Sequence, residues 1–223
     1  MVDDADADAL ASLRVAALHR RTRPAPIVVV RDLLPASDRA ALVSALLERE
    51  AEFRSNRDTG RDGSVLADAP ETAIVTEAIS NRFAEIVAAL AEKGAPVGDV
   101  TGCALEPATV TAYGHGHFHA PHIDNDPRGG VPAAFTRRIS LVWHASTGPD
   151  GFTGGDLRLW DHAEIPSDRG PWTVARTFSD HRPIDNALVA FSSYSMHEVL
   201  AVTMPDGEFR HRRLAVVTAA HAS

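Results

Sequence analysis

His122 and Asp124 stand two residues apart, and His197 follows far downstream. Two imidazoles and a carboxylate are the set that holds Fe(II) outside a haem in a facial triad, which leaves coordination positions open for other ligands. In an extended strand residues i and i+2 point to one face, so His122 and Asp124 could reach a single ion together. The third ligand must then arrive on another strand. The tripeptide alone has a plainer reading, because a chain with 11 histidines and many aspartates can place such a pair on its surface by chance. His115, His117 and His119 crowd the same stretch and could form a separate zinc or nickel site with His122. Gly114 and Gly116 instead favour an irregular segment whose extra histidines line a pocket mouth or hydrogen-bond the backbone.

The elements that must position these groups can be read along the chain. Residues 26–30 are apolar and β-branched, as in a short buried strand. Ser37 is a candidate N-cap, and 39–53 carries Leu42, Leu46 and Leu47 at helical spacing. A polar loop is expected at 54–63. A second helix is expected from Pro70 to before Gly94, with Ile74, Val75, Ile79, Phe83, Ile86, Val87 and Leu90 as its apolar stripe. Beyond Gly98 the pattern changes to short strands, expected at 100–105, 109–113, 138–145, 156–160, 172–178, 187–191, 197–202 and 210–218. Helices followed by a run of strands imply helices packed on a mainly β core, and a double-sheet jelly roll gives ligands from distant strands a common interior. The expected division is a supporting segment at 1–97, with a strand and helices, and a jelly-roll core at 98–223, together one structural domain.

Composition narrows the function classes. The 223 residues carry a net charge of −8, which argues against a nucleic-acid partner. Cys103 is the only cysteine, so no intrachain disulfide forms, as suits a reducing compartment. No apolar run approaches the roughly 18 residues of a membrane span, and the acidic N-terminus lacks an apolar signal core. A cytoplasmic protein without nucleic-acid or membrane partners is the expectation. The first twenty residues could be a frayed helix or a disordered lead, and the stretch from Asn125 to Phe135 could be a substrate-facing lid or an ordinary loop.

The flanking residues sharpen the metal reading. Tyr113-Gly114-His115-Gly116-His117-Phe118-His119-Ala120-Pro121-His122-Ile123-Asp124 resembles the Tyr-x-x-Gly-x-x-Tyr-x-Pro-His-x-Asp segment of the prolyl 4-hydroxylase-like 2-oxoglutarate/Fe(II)-dependent dioxygenases. Arg137 to His144 is similar to that family's core strand, and Gly154-Gly155-Asp156-Leu157 to its Gly-Gly-Glu-Leu turn. Ser195 to Val199 resembles its distal His-x-Val, and Arg212 to Val217 its Arg-Tyr-Ala-Leu strand. The resemblance covers roughly residues 100–218 in unbroken order.

It implies a double-stranded β-helix (jelly roll, cupin-like), with Fe(II) on His122, Asp124 and His197 and 2-oxoglutarate as cosubstrate with O₂. Ascorbate would be a candidate reductant. The far carboxylate of 2-oxoglutarate would need an arginine, whose planar fork donates paired hydrogen bonds. Strand alternation puts Arg210 and Arg212 on one face and Arg213 on the other; the family pattern selects Arg212, with Arg213 as the alternative one register away. Tyr113 matches a tyrosine of the cosubstrate pocket, though it could simply pack its ring. His144 stands where the family has a tyrosine, and His119 where it has another aromatic; both depart from the pattern. Asp124 favours hydroxylation over halogenation, since related halogenases lack that carboxylate. The expected reaction hydroxylates a C–H bond of an amino acid, a prolyl residue or a small natural product, releasing succinate and CO₂. The alternatives are a cupin-like metal enzyme that does not use 2-oxoglutarate and a non-catalytic metal-binding or sensing module.

Overall fold

The computed structural model describes residues 22–58, 60–125, 136–145, 151–164 and 172–222. The possible N-terminal helix lies outside these residues, as does the possible lid beyond Asn125. Two antiparallel sheets face each other. The larger has eight strands, in the order β2 (Ile27–Val30), β13 (Leu188–Ser192), β9 (Arg137–Ala145), β16 (Arg213–His221), β7 (Thr109–Tyr113), β5 (Ser64–Leu66) and β3 (Arg54–Ser55), with β6 (Ala104–Leu105) also on β16. The smaller runs β1 (Thr22–Arg23), β11 (Leu157–Glu164), β14 (His197–Val199), β8 (Phe118–His122) and β4 (Arg61–Asp62), with β12 (Trp172–His181) along the other side of β11. A two-stranded ribbon joins β10 (Thr153–Gly154) to β15 (Val202–Thr203). The fold is mainly β, a double-stranded β-helix with two long helices outside it.

Strand alternation explains the layering. On the large sheet Val110, Ala112, Ile139, Leu141, Trp143, Leu188, Ala190, Leu214 and Val216 point outward into the main core. That core is completed by Leu42, Val43 and Leu46 of α1 (Ala36–Glu48) and by Val75, Ile79, Ile86 and Leu90 of α2 (Ala73–Glu92). Thr109, Thr111, Tyr113, Val142, Phe191, Arg213, Ala215 and Val217 point the other way, into a chamber between the sheets. A sheet covered on both faces needs nearly continuous apolar runs, as in β13, where all five residues are buried.

Several boundaries differ from the sequence reading. α1 begins after Pro35 rather than at a Ser37 cap, and it ends at Glu48, where a 3₁₀ turn (Glu50–Glu52) takes over. The polar stretch at 54–63 holds β3 and β4: polarity marked an exposed site, not the absence of pairing. This segment leaves the large sheet, touches β8 of the small sheet and returns as β5, so it bridges the two sheets. The strand expected at 100–105 shrinks to β6, because Gly102 adopts a left-handed turn conformation at φ 70°. The strand expected at 197–202 is broken between β14 and β15.

Candidate active site

His122 closes β8, and Asp124 lies just past the strand end in a bend. The pair therefore does not share a regular strand face; the chain turns at Ile123 to bring the carboxylate round. His197 opens β14 directly opposite His122 in the register. The three side chains offer ligand atoms that all lie within 4.8 Å of one another, which makes them the one such group of three or more among the described residues. His122 Nε2 lies 3.4 Å from Asp124 Oδ1, and His197 Nε2 lies 3.6 Å from Asp124 Oδ2.

Both imidazoles are held from behind. His122 Nδ1 donates to the Ala120 carbonyl at 2.9 Å, and His197 Nδ1 to the Ser195 carbonyl at 3.0 Å. A proton fixed on Nδ1 leaves the Nε2 lone pair free, which is the tautomer a metal requires. The Phe191 ring packs edge-on against His197 at 4.7 Å between centroids. Ser140 Oγ donates to Asp124 Oδ2 at 2.5 Å. Burial alone would raise the Asp124 carboxyl, but His197, His122 and the Ser140 hydrogen bond outweigh it and hold the group below the ordinary carboxylate range. Burial lowers His197 in turn, keeping its ring neutral. Two imidazoles that present Nε2 and one carboxylate form a donor set that fits a divalent metal.

The triad opens into a cavity of about 350 Å³, within the range of small-molecule sites. Arg213 forms part of its wall, although its side chain is almost wholly buried. It faces Tyr113 across the β7–β16 pair, with the guanidinium carbon 5.3 Å from the tyrosine ring centre. Burial lowers the Arg213 pKa and raises that of Tyr113. Arg213 has no carboxylate within ion-pairing distance among the described residues, and its Nε has no hydrogen-bond partner. A buried cation in this condition is costly unless an anion joins it.

A family model described as the 2OG-Fe(II) oxygenase superfamily matches residues 108–221, just over half of the chain, a span that includes the triad and Arg213. The chain belongs to the 2OG-Fe(II) oxygenase superfamily. It is 27% identical over 191 residues to an uncharacterised PKHD-type hydroxylase of Synechocystis sp., matching 82% of this chain and 59% of the relative. The chain thus spans well under two thirds of that relative's length. In fold it is similar to a Pseudomonas putida prolyl-4-hydroxylase, at a TM-score of 0.61 and 21% identity, covering 89% of this chain and 94% of the other. It is also similar to SnoN, an α-ketoglutarate-dependent epimerase from nogalamycin biosynthesis, at a TM-score of 0.55 and 17% identity, covering 95% and 83%.

Of the two arginines weighed from the sequence, Arg213 lines the chamber and Arg212 does not. The Arg212 guanidinium lies 5.0 Å from the Phe209 ring centre and 3.4 Å from Ser64 Oγ. A 3₁₀ turn (Phe209–His211) precedes β16, the strand starts at Arg213, and alternation then sends Arg213, Ala215 and Val217 inward. Tyr113 lines the chamber wall. His144 follows Ser140 and Val142 on the inward face of β9, wholly buried, with Nδ1 lacking a partner; burial, then Arg213, holds its ring well below the ordinary histidine range. His115 and His117 serve the backbone, accepting from the Met204 and Gly114 amides at 3.3 and 3.0 Å. His119 enters the chamber and stacks on His122 at 3.7 Å, and burial, His122 and Arg61 push it down to about 3. Both rings reach the chamber because the β8–β14 register shifts between them. Sequence reasoning overlooked Arg61, Arg137, Ser140 and Ser193. For Ser140 a signal existed: it shares strand parity with Val142 and His144.

Proposed function

We propose that this chain is an Fe(II)- and 2-oxoglutarate-dependent dioxygenase that hydroxylates an unactivated C–H bond and releases succinate and CO₂. The observation that carries the reading is Arg213, a buried cation without a carboxylate partner on the wall of the chamber that holds the His122–Asp124–His197 triad. In this reading a five-carbon keto diacid lies in the chamber with its keto-acid end toward the metal ligands and its far carboxylate toward Arg213. Tyr113 and His144 are the neutral donors proposed to complete that carboxylate's hydrogen bonds. Bound iron would supply oxygen activation; the protein binds, orients the substrate and excludes water.

His122, Asp124 and His197 hold the metal in this reading. Val142, Leu157, Phe191 and Val199 give the chamber apolar walls that keep bulk water from the reacting carbon. Asn56, Arg61, Asp62, His119 and Arg137 are part-exposed polar residues that line the chamber, and substrate choice is assigned to them in this reading. The relatives include a prolyl-4-hydroxylase and an epimerase of natural-product biosynthesis. Both a prolyl residue and a small molecule therefore belong in the assay panel. A cupin-like enzyme without 2-oxoglutarate would leave Arg213 without a use. Among the described residues no helix is long and apolar enough to cross a membrane.

The test is anaerobic titration of Fe(II) and 2-oxoglutarate, followed by succinate release with ascorbate present, screened across amino acids and prolyl peptides. A 2-oxoglutarate-dependent charge-transfer band is expected. Its absence would overturn the reading.

A further inference from the structure

Three serines at the end of β13 and in the turn that follows it are completely buried: Ser192, Ser193 and Ser195. Burying a hydroxyl is unfavourable unless it is hydrogen-bonded, so three in four residues require partners. Ser192 finds ordinary ones. Its hydroxyl donates to the Pro96 carbonyl at 2.6 Å and accepts from the Tyr194 amide at 3.2 Å, and its own carbonyl closes the turn by accepting the Ser195 amide. The other two reach toward the metal ligands. We propose that Ser193 and Ser195 make this turn the element that positions the metal site, a role that rests on the functional reading above.

The direction of each bond follows from donor counting. Ser140 Oγ donates to Asp124 Oδ2 at 2.5 Å, and a hydroxyl has only one hydrogen, so the Ser140 hydrogen is committed to that oxygen. Ser140 Oγ and Ser193 Oγ lie 2.9 Å apart, and with its own hydrogen committed Ser140 must accept from Ser193. The result is a one-way relay, Ser193 to Ser140 to Asp124, that holds one carboxylate oxygen and leaves Oδ1 free of it. The backbone reinforces the relay. The Asn125 amide donates to the Ser193 carbonyl at 3.0 Å, and the Ser193 amide to the Arg138 carbonyl at 3.0 Å. Two residues later the Ser195 carbonyl holds His197 Nδ1, and the Ser195 hydroxyl sits 3.1 Å from His162 Nε2. One turn thus grips the carboxylate ligand through Ser193 and the distal imidazole through Ser195. Ligands that enter on separate strands acquire a common support.

The test measures Mn(II) affinity of the full chain by electron paramagnetic resonance, together with the melting temperature of the metal-free protein. Outer-shell partners of metal ligands typically change affinity by about 10–100-fold. Ser193→Ala and Ser140→Ala are each expected to weaken Mn(II) binding about tenfold, while Ser140→Thr, which keeps the hydroxyl, restores it. Ser192→Ala is the control: Ser192 borders the same turn and is equally buried, but the hydroxyl it would lose bonds only the Pro96 carbonyl and the Tyr194 amide, neither of which touches a ligand. It is expected to lower the melting temperature and leave Mn(II) affinity unchanged. If Ser192→Ala weakens Mn(II) as much as Ser193→Ala, the turn is only a scaffold and the proposal fails. It fails equally if the Ser140 and Ser193 variants bind Mn(II) like the wild type. Should Ser193→Ala not fold, the Ser140→Ala and Ser140→Thr pair decides the matter. A wild-type chain that binds no Mn(II) would be a separate failure, that of the functional reading itself.

Discussion

The two sheets that enclose the chamber are built to different standards. The large sheet is covered on its outer face by both long helices, and its nine-residue strands β9 and β16 pair at eight positions, with a single register shift at the His221 end. The small sheet carries the metal-ligand candidates on strands of three and five residues, and its register shifts twice, between His197 and Val199 and between Trp160 and His162. Its β12 leaves Val174 and Phe178 over 40% exposed. Shifts and strand ends are costly in a packed wall, yet they re-aim side chains, which is what converging ligands need. The apolar core and the metal-ligand candidates thus lie on opposite walls, with Ser140 of the large sheet reaching across to hold Asp124. That division can be broken from either side.

The largest expected effect is on the small sheet. His197→Ala removes a ligand candidate, and loss of outer-shell partners alone costs about 10–100-fold, so succinate release should fall by more than about 100-fold. The melting temperature of the metal-free chain should change little. Succinate release at the wild-type rate would show that another group completes the site. Trp143→Ala on the large sheet should do the reverse. It deletes the largest fully buried side chain and leaves Asn186 Oδ1 without its 3.2 Å indole donor, although the Leu34 amide still reaches that oxygen. A loss of about 3–5 kcal/mol in stability is expected by chemical denaturation, with metal affinity of the folded protein retained.

Arg213 sharpens the comparison, because it is a functional candidate rooted in the stable wall. Arg213→Met should raise the KM for 2-oxoglutarate by more than about 30-fold, as truncating one partner of a buried charge pair costs about 2–5 kcal/mol. Without cosubstrate the same variant should be no less stable than the wild type, since it replaces an unpaired buried charge with an apolar chain. Arg212→Ala should behave like the wild type in KM. A KM rise in Arg212→Ala without one in Arg213→Met would reverse the assignment of the cosubstrate carboxylate.

How much of this was legible in the sequence follows the same division. The central large-sheet strands are legible in their apolar, β-rich pattern: 109–113 matches its observed bounds and 138–145 lies within one residue of them, whereas 210–218 is offset by three residues from β16 and β3 falls in an expected loop. The helices were legible from their apolar spacing. The small sheet was legible only in part: the strands expected at 156–160, 172–178 and 197–202 fall on β11, β12 and β14, whereas β4 had no strand expected, since it owes its existence to a pairing partner far away in the chain rather than to local pattern. Among the candidate site residues, His122, Asp124, His197 and Tyr113 could be named from spacing and resemblance. The choice between Arg212 and Arg213 could not, because it turns on where a 3₁₀ turn hands over to the strand. Ser193 was hidden for a different reason: its role comes from hydrogen-bond geometry that no residue pattern encodes.

A milder test addresses how Arg213 is held. Gly155 sits at φ +67°, and an added Cβ would come within 2.7 Å of Arg213 Cδ and 2.9 Å of Val202 Cγ2. Gly155→Ala should therefore cost on the order of 1–3 kcal/mol in stability and push the arginine out of line. A rise of about tenfold in the KM for 2-oxoglutarate is expected. Lost stability with unchanged KM would mean that the chamber tolerates a shifted guanidinium.

The smallest effect should come from His144, where the two walls' roles meet in one residue. It belongs to the stable sheet, wholly buried, yet its Nδ1 has no hydrogen-bond partner. A buried polar atom left unsatisfied is unfavourable unless a ligand completes it. His144→Phe removes that atom at similar volume, so the metal-free chain should hold or gain stability. The KM for 2-oxoglutarate should rise by a few-fold, in line with the roughly 0.5–1.5 kcal/mol of one net hydrogen bond. Both shifts must appear together: a more stable protein that binds its cosubstrate less well identifies an unmet bond reserved for the ligand. Reduced stability with an unchanged KM would instead make His144 a packing residue, and Tyr113 and Arg213 would be left to hold the carboxylate alone.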